Sequence, residues 1–385
     1  MKSGWQQKTI GDLCEVIAGQ SPEGRFYNGD GDGVPFYQGK KDFGEKFIGA
    51  PTVWTTQVTK RAQEGDILMS VRAPVGPVNF STEDVCIGRG LSAIRGRDGI
   101  DREFLFYQLL YLQPEIAGKE GAVFASINKA DIEALPISFV GLSEQQRIVK
   151  IIDKAFEGIA TAKANAEKNL QNARAIFESQ LQSVLMNKDW QWKTLGDLCD
   201  GVEYGSSAKS KKEGKVPVLR MGNIQDGKLD WESLVYTDNK DEIRKYLLKP
   251  NDVLFNRTNS PELVGKTAIY KGERPAIFAG YLIRIHRKEE LLNADYLNYF
   301  LNSQIAFNYG KTVVISSVNQ ANINGTKLMG YPIPAPSLVE QKRIVSQLNE
   351  LCIETERLKD VYQQKLIALD ALKKSLLHQA FTGQL

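Results

Sequence analysis

Polar side chains that could bind a nucleic acid are concentrated in the loop regions of both halves of the sequence. In the first half they are Gln20, Ser21, Arg25, Tyr27, Gln38, Lys40, Lys41, Arg72 and Arg89. In the second half they are Ser206, Ser207, Lys209, Lys211, Lys212, Arg220, Asn223, Asn256 and Arg257. Arg, Gln and Asn can form paired hydrogen bonds with base edges, whereas Lys mainly contacts phosphates. For each residue alone, an ordinary solvated loop explains the polarity equally well.

Sequence signatures of catalysis and of metal binding are missing from the chain. Its only histidines are His286 and His378, and His378 falls in the last turns of a predicted helix, where a surface position is expected. Neither a phosphate-binding G-x-x-x-x-G-K-[ST] loop nor a paired-glycine nucleotide fingerprint is present. The acidic run at residues 29–33 lacks the ligand spacing of a calcium loop, so we expect an acidic turn. We therefore predict a chain that catalyses no reaction and binds no metal.

Composition narrows the class of protein without deciding its partner. The chain has 385 residues, 42% of them hydrophobic, and a net charge of +3, which neither requires nor excludes nucleic acid. The four cysteines form no C-x-x-C pair, and Cys14 and Cys199 each follow a leucine, which favours buried structural thiols. No apolar run approaches the roughly 20 residues of a membrane span, and residues 1–5 do not resemble a signal peptide. We expect a reduced, cytoplasmic protein without a membrane partner.

The chain contains an internal repeat, which must position the polar loops. Residues 5–14 return as residues 190–199, displaced by 190 − 5 = 185 positions. Residues 142–185 align with residues 338–381 without a gap. The loops differ most, since residues 20–44 have little in common with residues 205–215. Similar scaffolds with different loops predict two binding sites of one kind with different specificities.

Each half combines a strand-and-turn module with a long helix. Residues 66–71 and 252–257 are predicted to be equivalent strands, and we interpret Arg72 as the counterpart of Arg257. The two closing segments carry apolar residues at steps of three and four, which predicts a coiled-coil helix in each. The predicted fold class is α+β, with two mixed α/β modules separated by two long helices that form an antiparallel coiled coil with pseudo-twofold symmetry. We place the boundaries at 1–141, 142–188, 189–336 and 337–385.

The repeated helix openings carry a resemblance to a known family. Pro136 precedes Glu-Gln-Gln-Arg-Ile-Val at residues 144–149, and Pro334 precedes Glu-Gln-Lys-Arg-Ile-Val at residues 340–345. With the module openings at residues 9–13 and 194–198, the whole chain resembles the specificity subunit of type I restriction-modification systems, the HsdS family.

The resemblance implies a non-catalytic DNA-recognition subunit of a methyltransferase and endonuclease complex. Residues 1–141 and 189–336 would be target recognition domains, each reading one half of a bipartite, asymmetric site in double-stranded DNA. The helices would set the spacer length and dock two methyltransferase subunits, and a restriction and translocase subunit would join that complex. The chain itself would bind no cofactor, because S-adenosylmethionine is expected on the methyltransferase subunits. With the family pattern behind them, the polar loops taken as groups favour DNA contact.

Two other functions fit parts of the sequence. A coiled-coil adaptor that binds proteins rather than DNA would have its loop lysines scattered over the modules instead of lining one groove. An enzyme with an unrecognised active site would need a cluster of titratable groups, which the sequence does not offer.

Overall fold

The chain divides into two compact units, each of which contains one end of both long helices. A computed structural model describes residues 4–117, 126–317 and 320–385. Unit 1 comprises Met1–Glu167 and Gln364–Leu385, and unit 2 comprises Lys168–Gln363. The predicted boundaries at residues 141, 188 and 336 separate modules from helices, which is a different division, and they stay a prediction.

Unit 1 contains two main β-sheets beside a set of helices. Its strands are β1 (Gln6–Thr9), β2 (Cys14–Ala18), β3 (Tyr27–Asn28), β4 (Val34–Tyr37), β5 (Trp54–Thr55), β6 (Arg61–Ala62), β7 (Ile67–Ser70), β8 (Val78–Phe80), β9 (Val85–Ile87), β10 (Leu91–Gly96) and β11 (Pro136–Phe139). Its helices are α1 (Ile10–Leu13), α2 (Arg102–Ile116), α3 (Lys129–Glu133) and the start of α4 (Leu142–Leu185). An antiparallel sheet has the order β2-β10-β7-β8, and a mixed sheet has the order β3-β5-β4-β9-β6 with β4 and β9 parallel.

Unit 2 repeats this arrangement with different additions. Its strands are β12 (Trp192–Thr194), β13 (Cys199–Tyr204), β14 (Val216–Leu219), β15 (Ile224–Gln225), β16 (Lys228–Leu229), β17 (Val235–Thr237), β18 (Val253–Asn256), β19 (Thr258–Asn259), β20 (Thr267–Ile269), β21 (Ile277–Phe278), β22 (Leu282–Arg287), β23 (Ile315–Ser317), β24 (Gln320–Asn322) and β25 (Pro332–Pro334). Its helices are α5 (Leu195–Leu198), α6 (Lys240–Tyr246), α7 (Ala294–Leu301), α8 (Gln304–Val313), α9 (Gly325–Met329) and part of α10 (Leu338–Phe381). The antiparallel sheet β13-β22-β18-β20 matches the four-stranded sheet of unit 1, and β14 pairs in parallel with β21 as β4 does with β9. The predicted mixed modules with long helices are confirmed.

The repeated module opening is a helix cap. In unit 1 the Thr9 hydroxyl accepts from the Asp12 backbone N–H at 3.3 Å, and the Asp12 carboxylate accepts from the Thr9 backbone N–H at 2.8 Å. Thr194 and Asp197 form the same reciprocal pair in unit 2. Each carboxylate also accepts from the hydroxyl of its threonine. The hydroxyl and N–H bonds from threonine lower the pKa of both carboxyl groups, as expected for hydrogen bonds that favour the charged form. The repeated residues therefore form a capping box at the start of α1 and of α5.

The glutamine of the repeated Glu-Gln motif bonds each long helix to its own unit. Gln145 is fully buried; its Oε1 accepts from the Asp101 N–H at 2.7 Å, and its Nε2 donates to the carbonyls of Gly99 and Val140. Gln341 is also fully buried and makes the corresponding three bonds in unit 2. An amide side chain is needed here because only an amide carries both a donor and an acceptor at this reach.

The two long helices run antiparallel within each unit. In unit 1, Arg147 donates to the Leu385 carbonyl at 3.1 Å, and Lys163 pairs with Asp370 at 2.5 Å. In unit 2, the end of α4 shares one hydrophobic core with the start of α10; the core residues are Leu181, Leu185, Ile344, Val345 and Leu348. The predicted antiparallel pairing is confirmed, but part of the predicted apolar seam is not buried. Ile176, Leu358 and Leu372 are 49%, 40% and 46% exposed.

The cysteines and the helices can each be compared with what the sequence predicts. Cys14 and Cys199 are buried and free, as predicted for structural thiols, and Cys86 is buried and free as well. Burial raises the pKa of Cys14 and of Cys199 to about 12. Across residues 4–117, 126–317 and 320–385, no helix combines the length and apolar character needed to cross a bilayer.

Candidate nucleic-acid interface

Four backbone segments of unit 1 meet at one tight crossing, hereafter crossing 1. The segments are residues 19–21 after β2, residue 38 after β4, residues 71–72 after β7, and residues 88–90 between β9 and β10. Backbone hydrogen bonds join them: Gly19 to Leu91, Gln20 to Ile87, Gly88 to Tyr37 and Val71 to Gly90, all at 2.8–3.0 Å. Crossing 1 is therefore a rigid part of the sheet edges and not a free loop.

Glycine is required where the segments approach most closely. A Cβ atom at Gly90 would overlap the carbonyl oxygen of Gln38, and a Cβ atom at Gly19 would overlap the carbonyl oxygen of Gly88. Side chains at these positions would push the segments apart. The glycines thus allow the neighbouring polar side chains to be presented within a small area.

Most of the predicted unit 1 residues surround crossing 1 and are exposed. The exposed side chains are Gln20, Gln38, Lys40, Lys41, Arg72 and Arg89. Ser21 is half-buried; its hydroxyl accepts from the Gln38 Nε2 at 3.3 Å and from the Arg89 backbone N–H at 3.2 Å. Within the part of the chain that the structure describes, Lys40, Lys41, Arg72 and Arg89 form no ion pair. Four unneutralised cations beside exposed amides are suited to phosphates and base edges.

Two of the predicted residues in unit 1 have structural partners instead. Arg25 pairs with Glu23 at 3.0 Å and lies over the Phe26 ring. Tyr27 is half-buried, stacks on Phe36 and donates its hydroxyl to the Pro22 carbonyl at 2.9 Å. The contacts of Tyr27 stabilise the segment between β2 and β4, which makes Tyr27 a weaker candidate for direct DNA contact. The Arg25 side chain is 72% exposed despite its ion pair and stays accessible.

Unit 2 contains the same crossing, hereafter crossing 2, defined by residues 205–207, 220, 257–258 and 279–281. Its backbone bonds join Gly205 to Leu282, Ser206 to Phe278, Ala279 to Leu219, and Arg257 to Tyr281, at 2.8–3.2 Å. Each bond has its counterpart in crossing 1. The pattern therefore makes Arg220 the structural equivalent of Gln38, and Gly280 the equivalent of Arg89.

The same pattern corrects the predicted match between Arg72 and Arg257. Val71 donates to Gly90, and Arg257 donates to the equivalent Tyr281, so the counterpart of Arg257 is Val71. Arg72 instead corresponds to Thr258, since each of these two residues pairs across an antiparallel bridge, to Ser126 and to Asn322 respectively. The prediction was wrong by one residue. Because side chains alternate along an extended chain, a shift of one changes the face on which each arginine lies.

Some side chains around crossing 2 have hydrogen-bond, aromatic or ion-pair partners within unit 2, and others are exposed to solvent. Arg257 donates to the Gly280 carbonyl at 3.2 Å, and its guanidinium carbon lies 4.9 Å from the centre of the Tyr204 ring. Arg220 is exposed and donates from Nη2 to the Ser233 carbonyl at 3.0 Å. Lys211 pairs with Asp238 at 3.2 Å and lowers the pKa of that carboxyl group. Ser207, Lys209 and Lys212 are exposed.

Three predicted DNA contacts in unit 2 are corrected by burial. Asn223 is 3% exposed; its amide donates to two carbonyls at 3.0 Å and accepts from the Arg220 N–H at 2.9 Å, so it shapes a turn. Asn256 is fully buried in β18. Ser206 is 6% exposed and donates its hydroxyl to Glu242. None of these side chains can reach a groove without local unfolding.

Two exposed aromatic residues were missed by the sequence reasoning. Tyr204 precedes Gly205 and is 41% exposed, and Tyr281 follows Gly280 and is 48% exposed. Tyr281 belongs to crossing 2, and Tyr204 borders it and lies against the Arg257 guanidinium. A tyrosine beside Gly205, a glycine of close approach, was a signal available in the sequence. Among the described residues, no group of three or more His, Cys, Asp or Glu side chains could hold a metal ion.

Comparison with known proteins gives consistent matches. The chain matches the family described as type I restriction modification DNA specificity domain twice, over residues 2–171 and 187–364. It is 38% identical over 174 residues to the provisionally named type I restriction enzyme MjaX specificity subunit of Methanocaldococcus jannaschii, covering 44% of this chain and 40% of that one. It is 25% identical over 289 residues to the type I restriction enzyme StySPI specificity subunit of Salmonella potsdam, covering 69% of this chain and 61% of that one. Each match thus spans less than two thirds of the relative's length.

The fold also matches a solved structure along its whole length. A chain from a structure of the type I restriction-modification system superimposes with a TM-score of 0.82, covering 100% of this chain and 99% of that one. At 19% sequence identity, this similarity shows a shared fold.

Proposed function

Because this chain belongs to the type I restriction-modification DNA specificity family, we propose that it recognises a bipartite DNA site, with one crossing reading each half. The observation that carries the proposal is the recurrence of one backbone crossing with different side chains. Gln38 and Arg89 in unit 1 are replaced by Arg220 and Gly280 in unit 2. Equivalent scaffolds that present different side chains at equivalent positions would select two different half-sites.

The distribution of charge favours DNA over a protein partner for the crossings. Lys40, Lys41, Arg72 and Arg89 lie within or close to the segments of crossing 1 and are exposed, whereas a protein-binding adaptor would have its loop lysines scattered. Lys40 and Lys41 share one short 3-10 helix, Lys40–Asp42, which begins two residues after Gln38. This arrangement provides phosphate contacts next to a base-reading amide, which is how DNA-binding proteins fix their register on the duplex.

The long helices are proposed to dock methyltransferase subunits. On α10, Ile353, Val361 and Ile367 are 67%, 51% and 66% exposed. At 3.6 residues per turn, Ile353 lies on the face opposite the fully buried Ile344. A helix with a second, uncovered apolar face suits a further helical partner. In this proposal the chain catalyses nothing itself, and S-adenosylmethionine binds to the methyltransferase subunits.

Selection from randomised DNA duplexes tests the proposal. The chain, assembled with its methyltransferase subunits, is incubated with a duplex library, and the bound fraction is sequenced. We expect two different short sequences separated by a spacer of fixed length. Arg220→Ala should lower the enrichment of one half-site only. Arg244→Ala is the matched control, because Arg244 is an exposed arginine of unit 2 whose partner, Asp241, lies on the same helix. Enrichment of no motif, or of one continuous palindrome, would contradict the proposal.

A further inference from the structure

We propose that one structurally equivalent position in each unit reads one base pair of its half-site: Gln38 reads an adenine and Arg220 reads a guanine. This inference rests on the proposed function and names the chemistry of the two halves. Because the two crossings carry different residues at this position, they would read different bases, which would make the DNA site asymmetric.

The backbone places the two side chains at the same point of the fold. Gln38 follows Tyr37, whose carbonyl accepts from Gly88 at 2.8 Å, and Arg220 follows Leu219, whose carbonyl accepts from Ala279 at 2.9 Å. A short 3-10 helix begins shortly after each, Lys40–Asp42 in unit 1 and Met221–Asn223 in unit 2. The backbone that leads into the two residues is therefore equivalent, and each unit would present this position from the same sheet edge. The backbone that follows differs by one residue, because the 3-10 helix begins two residues after Gln38 but directly after Arg220.

Gln38 is free to recognise adenine. It is exposed, and one N–H of its amide is oriented by the Ser21 hydroxyl at 3.3 Å. The second N–H remains free, and across the described residues the Oε1 atom has no hydrogen-bond partner. A glutamine amide matches the N7 acceptor and N6 donor of adenine in the major groove. The contact to Ser21 limits the conformations of Gln38 before DNA binds, which reduces the entropy lost on binding.

Arg220 has the complementary properties for guanine. It is exposed, its Nη2 donates to the Ser233 carbonyl at 3.0 Å, and its backbone N–H donates to the buried Asn223 amide at 2.9 Å. No carboxylate of the described residues forms an ion pair with its guanidinium. The remaining N–H groups can donate in parallel to O6 and N7 of guanine. Like Gln38, Arg220 is oriented by one polar contact and keeps the rest of its donors.

The other cations near the crossings are less suited to base reading. Arg257 is half-buried and held by the Tyr204 ring and the Gly280 carbonyl. Arg89 is exposed, but no described residue bonds to its guanidinium, so nothing orients it before binding. An unoriented cation on a surface turn is better placed for phosphates, whose contacts do not depend on sequence.

Reciprocal substitution tests the inference. Gln38→Arg and Arg220→Gln are introduced separately into the complex with methyltransferase subunits, and each variant is put through the duplex selection. Gln38→Arg should change one adenine to guanine in one half-site and leave the other half unchanged. Arg220→Gln should make the opposite change in the other half. The preference between the two bases should shift by about 10- to 100-fold, the discrimination expected of one bidentate contact.

Matched variants separate base reading from charge. Lys41→Gln removes an exposed cation beside Gln38 and should weaken binding to all sequences alike. Arg244→Gln should change nothing. If Gln38→Arg and Arg220→Gln alter affinity for every duplex equally, both residues are phosphate contacts and the inference is wrong. If the unaltered complex selects a bipartite site and both variants select the same site, the inference alone is overturned. If the unaltered complex selects no bipartite site, the proposed function itself fails.

Discussion

Replacement of the buried glutamine at the start of a long helix should loosen one unit and leave the other intact. Gln341→Ala removes three hydrogen bonds of 2.8–2.9 Å, to the N–H of Asn293 and to the carbonyls of Leu291 and Pro336. Alanine cannot form hydrogen bonds with these backbone groups. Because Gln341 is fully buried, its removal leaves them without a partner in the protein interior. At about 1 kcal/mol for each unsatisfied group, the loss is about 3 kcal/mol, or roughly a 150-fold rise in local opening.

Hydrogen exchange measured by mass spectrometry resolves where the opening occurs. In Gln341→Ala, amides of α7 (Ala294–Leu301), which begins next to Asn293, should exchange roughly 100-fold faster. Amides of α2 (Arg102–Ile116) in unit 1 should keep their protection. Gln145→Ala should produce the reverse, because Gln145 bonds to Asp101 at the start of α2.

The neighbouring Lys342 gives the control for this experiment. Lys342 is exposed on the same turn of α10, so Lys342→Ala should leave exchange unchanged in both units. Equal acceleration in α2 and α7, or no acceleration in either variant, would refute the idea that each glutamine fastens its helix to its own unit.

Two further predictions concern the thiols and the outer face of α10. In the native chain at pH 8, Cys352 should react first with a thiol reagent, because it is partly exposed while Cys14 and Cys199 are buried with pKa values raised to about 12. Peptide mapping of the labelled protein measures which cysteine reacts. Rapid labelling of Cys14 or Cys199 would contradict this prediction. Ile353→Ser should weaken association with methyltransferase subunits by about 10-fold, since a 67% exposed isoleucine adds apolar area only when a partner covers it. Leu263→Ser, at an exposed apolar loop residue of unit 2, is its control in the same titration, and equal weakening by both variants would argue against docking on α10.

The scaffold could be predicted from the sequence because its signals are periodic or repeated. The steps of three and four in residues 142–185 and 338–381 predicted long antiparallel helices, and the structure confirms the pairing in each unit. The capping residues of the repeated opening were visible as a repeat, but their role as caps emerged only from their reciprocal bonds. Local interactions of this kind involve residues that are close together in the sequence, so one sequence is enough to detect them.

The candidate site was predicted as a set of loops but not residue by residue. Asn223, Asn256 and Ser206 are polar and lie beside glycine-rich segments, yet tertiary packing buries them. Whether a polar side chain turns inward depends on carbonyls far away in the sequence, and a single sequence does not show them. The equivalence of Gln38 with Arg220 rests on backbone bonds between distant strands, so no local pattern could reveal it.

Genome-wide mapping of methylated bases tests the central claim most directly. The chain is expressed with its methyltransferase subunits in a host that has no other DNA methylation, and the modified positions are sequenced. We predict one bipartite motif whose two halves differ and whose spacer has a constant length. Absence of added methylation, a motif with identical halves, or a spacer of variable length would contradict the account of two equivalent crossings that read different half-sites.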